Sequence, residues 1–306
     1  MPRIILNQND NNLYLHVDGC WYRYDTTSHP IGEGAMGIVY HGFRCDNNDK
    51  VAIKQVRPEF WDNVFIRNRC KLEASILLNH PNIIRMIGFC EEFQNSGPLY
   101  VLSEYVSGIT IEEHVNTQLA GLSLGQKYKK IIEEFIQVTE AVSYLHSQGI
   151  IHRDIKPSNI MLQDGYLPKL MDLGVAKSET FYDAHLKGAV GSVPFAAPEQ
   201  IVPDDIEASV DNRSDIYSLG ATLQFLLTGS FPSDLSNLSE SLRRILVIAT
   251  ERDPNKRFQD VDLFKDALIS ALDEPLNVKK KPLSILFITM ITALMVTFML
   301  IFIFIL

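Results

Sequence analysis

The spacing of apolar residues changes character about a third of the way along the chain. Residues 20–57 read as short strands, with β-rich runs at Ile38-Val39-Tyr40 and Val51-Ala52-Ile53-Lys54. Residues 64–79 break this pattern, because Ile66, Cys70, Ala74 and Leu77 recur at helical spacing along one face. Leu99–Val106 reads as another strand, and Ser107-Gly108 follows as a joint. Beyond it the period is mostly helical, with helices expected over Tyr128–Gln148, Asp215–Thr228, Leu238–Thr250 and Gln259–Leu272. The pattern predicts an α+β chain in two lobes, a small β-rich one followed by a larger α-helical one. No internal repeat interrupts it.

The last 24 residues depart from this pattern. From Leu283 to Leu306 no charged residue occurs, and only Ser284, Thr289, Thr292 and Thr297 are polar. A helix of this length reaches about 36 Å, against a hydrocarbon core of about 30 Å. Its sixteen Leu, Ile, Phe and Val residues favour insertion by about 5 to 10 kcal/mol. Lys279, Lys280 and Lys281 stand just before it, which assigns residues 1–282 to the cytoplasmic side of a cell membrane and leaves no outside domain. The expected organisation is an N-terminal segment over 1–23, a catalytic domain over 24–272, a juxtamembrane linker over 273–282 and a transmembrane helix over 283–306.

Composition narrows the partners. The net charge of -9 over 306 residues argues against nucleic acid, which calls for a basic face. It also removes any general attraction to anionic lipid, so membrane contact falls to the tail. Cys20, Cys45, Cys70 and Cys90 are too far apart for zinc-ligand or redox spacing and read as reduced thiols. The first twelve residues, with four Asn and an Asp, hold no continuous apolar run and so no signal peptide.

Three groups of residues carry candidate chemistry. Gly32, Gly34 and Gly37 form G-x-G-x-x-G, a motif that dinucleotide-binding folds share. Here the glycines run into strand-forming residues rather than a helix, so the geometry is a hairpin tip whose backbone amides close over phosphates. Lys54 ends the next strand, seventeen residues after Gly37; as a cation facing a cleft it needs an anion, and Glu73 on the following helix is the expected partner. The third group is Ile151-His152-Arg153-Asp154-Ile155-Lys156-Pro157-Ser158-Asn159, with Asp172-Leu173-Gly174 thirteen residues on. It supplies a base, a phosphate-binding lysine and two oxygen ligands for Mg²⁺. That set suits phosphoryl transfer, which depends on positioning and charge neutralisation. Asp154 orients the acceptor hydroxyl, Lys156 neutralises the γ-phosphate, Asn159 and Asp172 offer hard oxygens to the metal, and His152 reads as a core histidine.

These motifs, in this order over residues 24–272, resemble the eukaryotic-type Ser/Thr protein kinases. The resemblance implies the two-lobed kinase fold, ATP and Mg²⁺ as cofactors, and protein substrates with Ser/Thr acceptors. It places nucleotide contacts at Ile31, Gly32, Glu33, Gly34, Ala35, Met36, Gly37, Ile38, Val39, Lys54, Glu73, Glu104 and Val106. Catalysis falls to Asp154, Lys156 and Lys54, and metal ligation to Asn159 and Asp172. Ala197-Pro198-Glu199 matches the end of an activation segment, with Glu199 expected to pair with Arg257. Asp215 matches a buried aspartate that braces the catalytic loop. Ser103 falls at the back of the adenine pocket. Lys156 and Ser192 fit a Ser/Thr rather than a tyrosine kinase. Thr110, Ser158 and Phe225 stand where arginine-directed relatives carry acids, so arginine-rich substrates are not expected. Leu173 replaces the usual Phe after the metal aspartate and is expected to pack against the helix bearing Glu73. Ser178, Thr180 and Tyr182 are candidate phosphate acceptors for Arg153, reached by self-association and trans-autophosphorylation. Gly-Glu-Gly-Ala-Met-Gly and Ala-Pro-Glu-Gln are similar to bacterial, membrane-anchored members. Two other readings compete: a pseudokinase scaffold, which predicts loss of Lys54, Asp154, Asn159 or Asp172, and an oxidoreductase resting on the glycine motif alone. None of those four residues is missing.

Overall fold

The computed structural model of the protein describes residues 3–94, 96–173, 193–201 and 210–273. The smaller lobe is one antiparallel sheet of eight strands: β1 (Ile4–Asn7), β2 (Asn12–Val17), β3 (Cys20–Asp25), β4 (Gly32–Glu33), β5 (Gly37–Arg44), β6 (Lys50–Val56), β7 (Met86–Phe93) and β8 (Ser96–Glu104). They are ordered β1-β2-β3-β5-β6-β8-β7, with β4 paired to β5. Helix α1 (Val64–Ser75), capped by the Asn63 side chain on the amide of Ile66, lies against it. The larger lobe carries a small sheet of β9 (Gly108–Thr110), β10 (Ile160–Gln163) and β11 (Leu167–Leu170). Its helices are α2 (Ile111–Thr117), α3 (Leu124–Ser147), α4 (Pro198–Ile201), α5 (Asn212–Thr228), α6 (Glu240–Ala249) and α7 (Val261–Asp273).

The sheet of the smaller lobe buries apolar residues on both faces. One face sets Val56, Leu99 and Val101 against Ile66, Cys70 and Ala74 of α1. On the other, Val51, Ile53, Cys90, Tyr100 and Leu102 pack with Leu13, Leu15, Val17, Tyr22 and Tyr24. Strict alternation in β2, where every second residue is buried, makes that cover possible. The β2–β3 turn is Asp18-Gly19, both at positive φ (45° and 80°), the geometry that matches the twist of a two-residue hairpin. Residues 4–25 are therefore part of the lobe, and the expected boundary at residue 24 cuts through β3. The small polar residues of that stretch lie in hairpin turns and at strand edges.

Fully buried Arg67 ties α1 to the β7–β8 hairpin. It donates to the carbonyls of Trp61 and Gly97 at 2.7 and 2.6 Å, and pairs with Glu91 at 2.6 Å. Helix α1 is shorter than expected: it stops at Ser75, and Leu77, assigned to its apolar face, is 80% exposed. Ile76 takes an extended conformation there, so the face ends with Ala74.

The larger lobe packs around α3 and α5. Ile131, Phe135, Val138, Val142 and Leu145 form the inward stripe of α3, whose first turn is closed by a Ser123–Gln126 capping box. Helix α5 is buried along most of its length and ends on Gly229 at φ 82°. The four expected helices in this lobe all form, with starts shifted by two to four residues and last residues by one at most; α2 and the three-stranded sheet were not anticipated. At the joint, Gly108 pairs with Gln163 so closely that a Cβ would drive into the carbonyl oxygen of Leu162. Among the described residues no helix is long and apolar enough to cross a membrane; the expected span over 283–306 lies outside them.

A chain starting at Cys20, without β1 and β2, uncovers Val51, Ile53, Cys90, Tyr100 and Leu102. Losing roughly half the burial of five such side chains costs on the order of 5 kcal/mol. Thermal unfolding and binding of an apolar dye check this: the shortened chain should melt well below the full one and bind the dye, and an unchanged melting temperature would refute the packing role.

Candidate active site

The glycine-rich turn lies between β4 and β5, closed by the Gly34 amide on the carbonyl of Gly37 at 2.9 Å. Its glycines do different work. A Cβ at Gly37 would stand 2.5 Å from the carbonyl oxygen of Gln55, so close packing of β5 on β6 requires it. Gly32 and Gly34 have ordinary φ and no protein atom nearer than 3.8 Å to a Cβ. The fold itself does not demand glycine at either, and the space suits a ligand. Arg57 clasps this loop, donating to the carbonyl of Gly34 at 3.1 Å and pairing with Glu33 at 2.5 Å. The Glu33 carboxylate is thereby committed within the protein.

Register carries the next residue into the cleft. Val39 pairs with Lys54, and Lys54 with Val101, which sets the lysine on the middle strand beneath the loop. Its ammonium lies 3.5 Å from Asp172, and that carboxylate raises its pKa against the opposing effect of burial. The expected Glu73 partner is not the one it meets. Asp172, at a left-handed φ of 52°, reaches the ammonium instead. Glu73 stays buried nearby; burial raises its pKa and the Lys54 charge works against that rise.

The loop over residues 151–159 hangs from α5. Asp215, fully buried, accepts the amides of His152 and Arg153 at 2.8 Å each, and the Nε2 of His146 at 2.8 Å. Two successive amides converging on one carboxylate allow Arg153 its left-handed φ of 64°. His152 is held at both nitrogens: Nδ1 accepts from the Asp154 amide at 3.2 Å and Nε2 faces the Met171 carbonyl at 3.1 Å. Burial lowers its pKa, so it sits as a neutral structural imidazole with no lone pair to spare for a reaction. Asp154 Oδ2 accepts from Lys156 and from Asn159 Nδ2, both at 3.0 Å. Asn159 Nδ2 also donates to the Asp154 carbonyl at 2.8 Å, which leaves its amide oxygen as the atom to offer a cation. The Met171 amide bonds to the Asn159 carbonyl at 2.8 Å, so Asp172 is fixed one residue away, with its side chain half exposed. An amide oxygen and a carboxylate in this relation fit a hard divalent cation. Lys54, Asp154, Lys156, Asn159 and Asp172 thus meet at one cleft, in which a phosphate-bearing ligand, a metal and a hydroxyl donor find complementary groups.

Comparison with known proteins bears on the same residues. A family model described as the protein kinase domain matches residues 26–281. The chain belongs to the protein kinase family. A probable serine/threonine-protein kinase of Clostridium perfringens is 31% identical over 255 residues, covering 75% of this chain and 35% of its own length. The serine/threonine-protein kinase PknB of Mycobacterium tuberculosis is 33% identical over 208 residues, 66% of this chain and 32% of that protein. The kinase therefore spans about a third of the length of these relatives. Its fold matches a crystal structure of the Mycobacterium tuberculosis PknI kinase domain with a TM-score of 0.61 at 26% identity, covering 84% of this chain and 98% of that one.

Elsewhere in the kinase domain, the expected Glu199–Arg257 pair forms. Arg257 and Glu199 form a buried, bidentate pair at 2.6 and 2.8 Å, and Gln200 donates to the Arg153 carbonyl at 3.0 Å. Leu173 departs from expectation: it is buried in the core of the larger lobe with Ile76 and Leu78, which follow α1, and not with Ile66, Cys70 and Ala74 of α1 itself. Ser178, Thr180, Tyr182 and Ser192 lie outside the described residues. Sequence reasoning missed Arg57, His146 and Gln200; each acts through a partner 20 residues or more away, and no local spacing marks it. Asp215→Asn keeps the side-chain volume and removes the charge that holds two amides. Each charge-assisted bond contributes about 1.5–3 kcal/mol, so calorimetry should show a lower melting temperature and kinetics a lower kcat. Wild-type values for both would remove Asp215 as the support of the loop.

Proposed function

We propose that the protein is an ATP-dependent kinase that phosphorylates Ser/Thr hydroxyls of protein substrates. The observation that carries this reading is the meeting of Lys54 and Asp172 with Asp154, Lys156 and Asn159 in one cleft under the glycine loop. The names of the relatives support the Ser/Thr assignment. Residues Ile31–Val39, with Glu104 and Val106, hold the nucleotide; Lys54 binds its phosphates. Mg²⁺, if bound, would supply charge neutralisation at the phosphate oxygens. Asn159 and Asp172 hold that ion in place. Asp154 accepts a hydrogen bond from the acceptor hydroxyl and aims it at the γ-phosphorus. Lys156, 3.0 Å from Asp154, lies where charge grows on the transferred phosphoryl group. Tethering of the kinase to a membrane belongs to the same reading and rests on the charge-free run over 283–306 with its three preceding lysines. Confinement to a membrane raises the effective concentration of one kinase domain for another and favours trans-autophosphorylation.

Asp154→Asn should lower kcat toward a protein substrate by a factor on the order of 10² or more with little change in ATP affinity, because Lys54 and Asp172 remain. Near-wild-type turnover would sink the assignment.

Ser103 pairs with Ala52 on β6 and with Met86 on β7, at the back of the strand that leads to the joint. A serine there leaves room that a methionine would fill. Wild type should accept ATP analogues enlarged at the exocyclic amine, and Ser103→Met should reject them; equal discrimination by both would misplace this strand in the site.

A further inference from the structure

Lys169 on β11 is a nearly fully buried cation, 7% exposed, and none of the motifs accounts for it. Its ammonium lies 2.9 Å from Glu104 Oε1, and the same oxygen accepts the amide of Arg85 at 3.0 Å. The Glu104 amide in turn donates to the Arg85 carbonyl at 2.9 Å. The Glu104 side chain is thus spent on the protein, and only its backbone remains for a nucleotide. On the other side of Lys169 the strand is equally constrained. Leu170 donates to the Asn82 carbonyl at 2.8 Å and accepts from the Ile84 amide at 3.0 Å, Met171 donates to the Asn159 carbonyl at 2.8 Å, and Asp172 follows. One short strap therefore runs from the end of β8, where the adenine is placed, to the carboxylate assigned to the metal.

We propose that Lys169 is a positioning residue that couples the adenine end of the nucleotide site to its metal end. A buried ammonium must keep its anion, since separating them leaves an uncompensated charge in a low-dielectric interior. The pair therefore holds the end of β8 at one distance from β11, and hence from Asp172. A ligand that touches only the adenine end gains nothing from that distance. A ligand that reaches both ends gains the whole of it, as a coupling between two subsites.

The inference rests on the nucleotide-binding reading, and calorimetric binding of two probes separates the two. Adenosine occupies the adenine end alone, and ATP with Mg²⁺ occupies both. In Lys169→Met, adenosine affinity should stay within about twofold while that for ATP with Mg²⁺ falls by about tenfold, toward the low end of the range for coupled sites. Lys169→Arg should restore most of the loss, Glu104→Gln should reproduce it, and the double variant should be no worse than either single one. Should Lys169→Met fail to fold, Glu104→Gln, which keeps its volume, carries the same comparison. Equal losses for both probes, no loss for either, or additive losses in the double variant would overturn the coupling. A wild-type protein that binds neither probe would overturn the nucleotide reading and this inference with it.

Discussion

A single buried carboxylate organises the reaction centre. Asp215 leaves α5 in the middle of the larger lobe and gathers the amides of His152 and Arg153 and a nitrogen of His146. Left-handed backbone at a residue such as Arg153 costs roughly 1–3 kcal/mol, and the loop keeps it because charge-assisted bonds offset that cost. The turn so produced presents Asp154 to the cleft and stations His152 against Met171, which sets the start of the Asp172 segment. Asp154 and Asp172 thus both depend on one buried anion outside the cleft.

Around this support the cleft is closed by buried ion pairs rather than by apolar packing alone. Arg67 pins α1 to the β7–β8 hairpin, Arg257 and Glu199 lock α4 to the far end of the larger lobe, and Lys169 binds Glu104 across the joint. Such pairs are weak sources of net stability but strongly directional, since breaking one strands a charge. They suit a site whose parts lie on two lobes and must meet within tenths of an ångström. The apolar cores serve a different purpose. The cover that β1 and β2 place over Val51, Ile53 and Leu102 stiffens the sheet carrying Lys54 without approaching the cleft.

The departures from expectation share one cause. Glu73 is the partner for Lys54 that the following helix offers, yet the pairing is decided by which carboxylate approaches in space, and Asp172 does. The glycine motif was read as one device, whereas Gly37 answers to packing on β6 and Gly32 and Gly34 to the space above them. The opening residues carry no expected role along the chain, though Asn12–Val17 alternates, and only the apolar face of the sheet that they cover shows what that alternation is for.

What the sequence by itself determined is the set of local choices: helical and extended periods, the two-lobed order, and the short motifs whose residues lie close enough along the chain to constrain one another. His152 to Asn159 is legible for that reason, because eight residues form one turn and its chemistry is local. Only the tertiary structure decided the long-range partners: Asp215 with the catalytic loop, Arg57 with the glycine loop, Lys169 with Glu104. Such pairs are selected by burial, where a charge must find an opposite within a few ångströms, and the distance along the chain between them carries no signal of that.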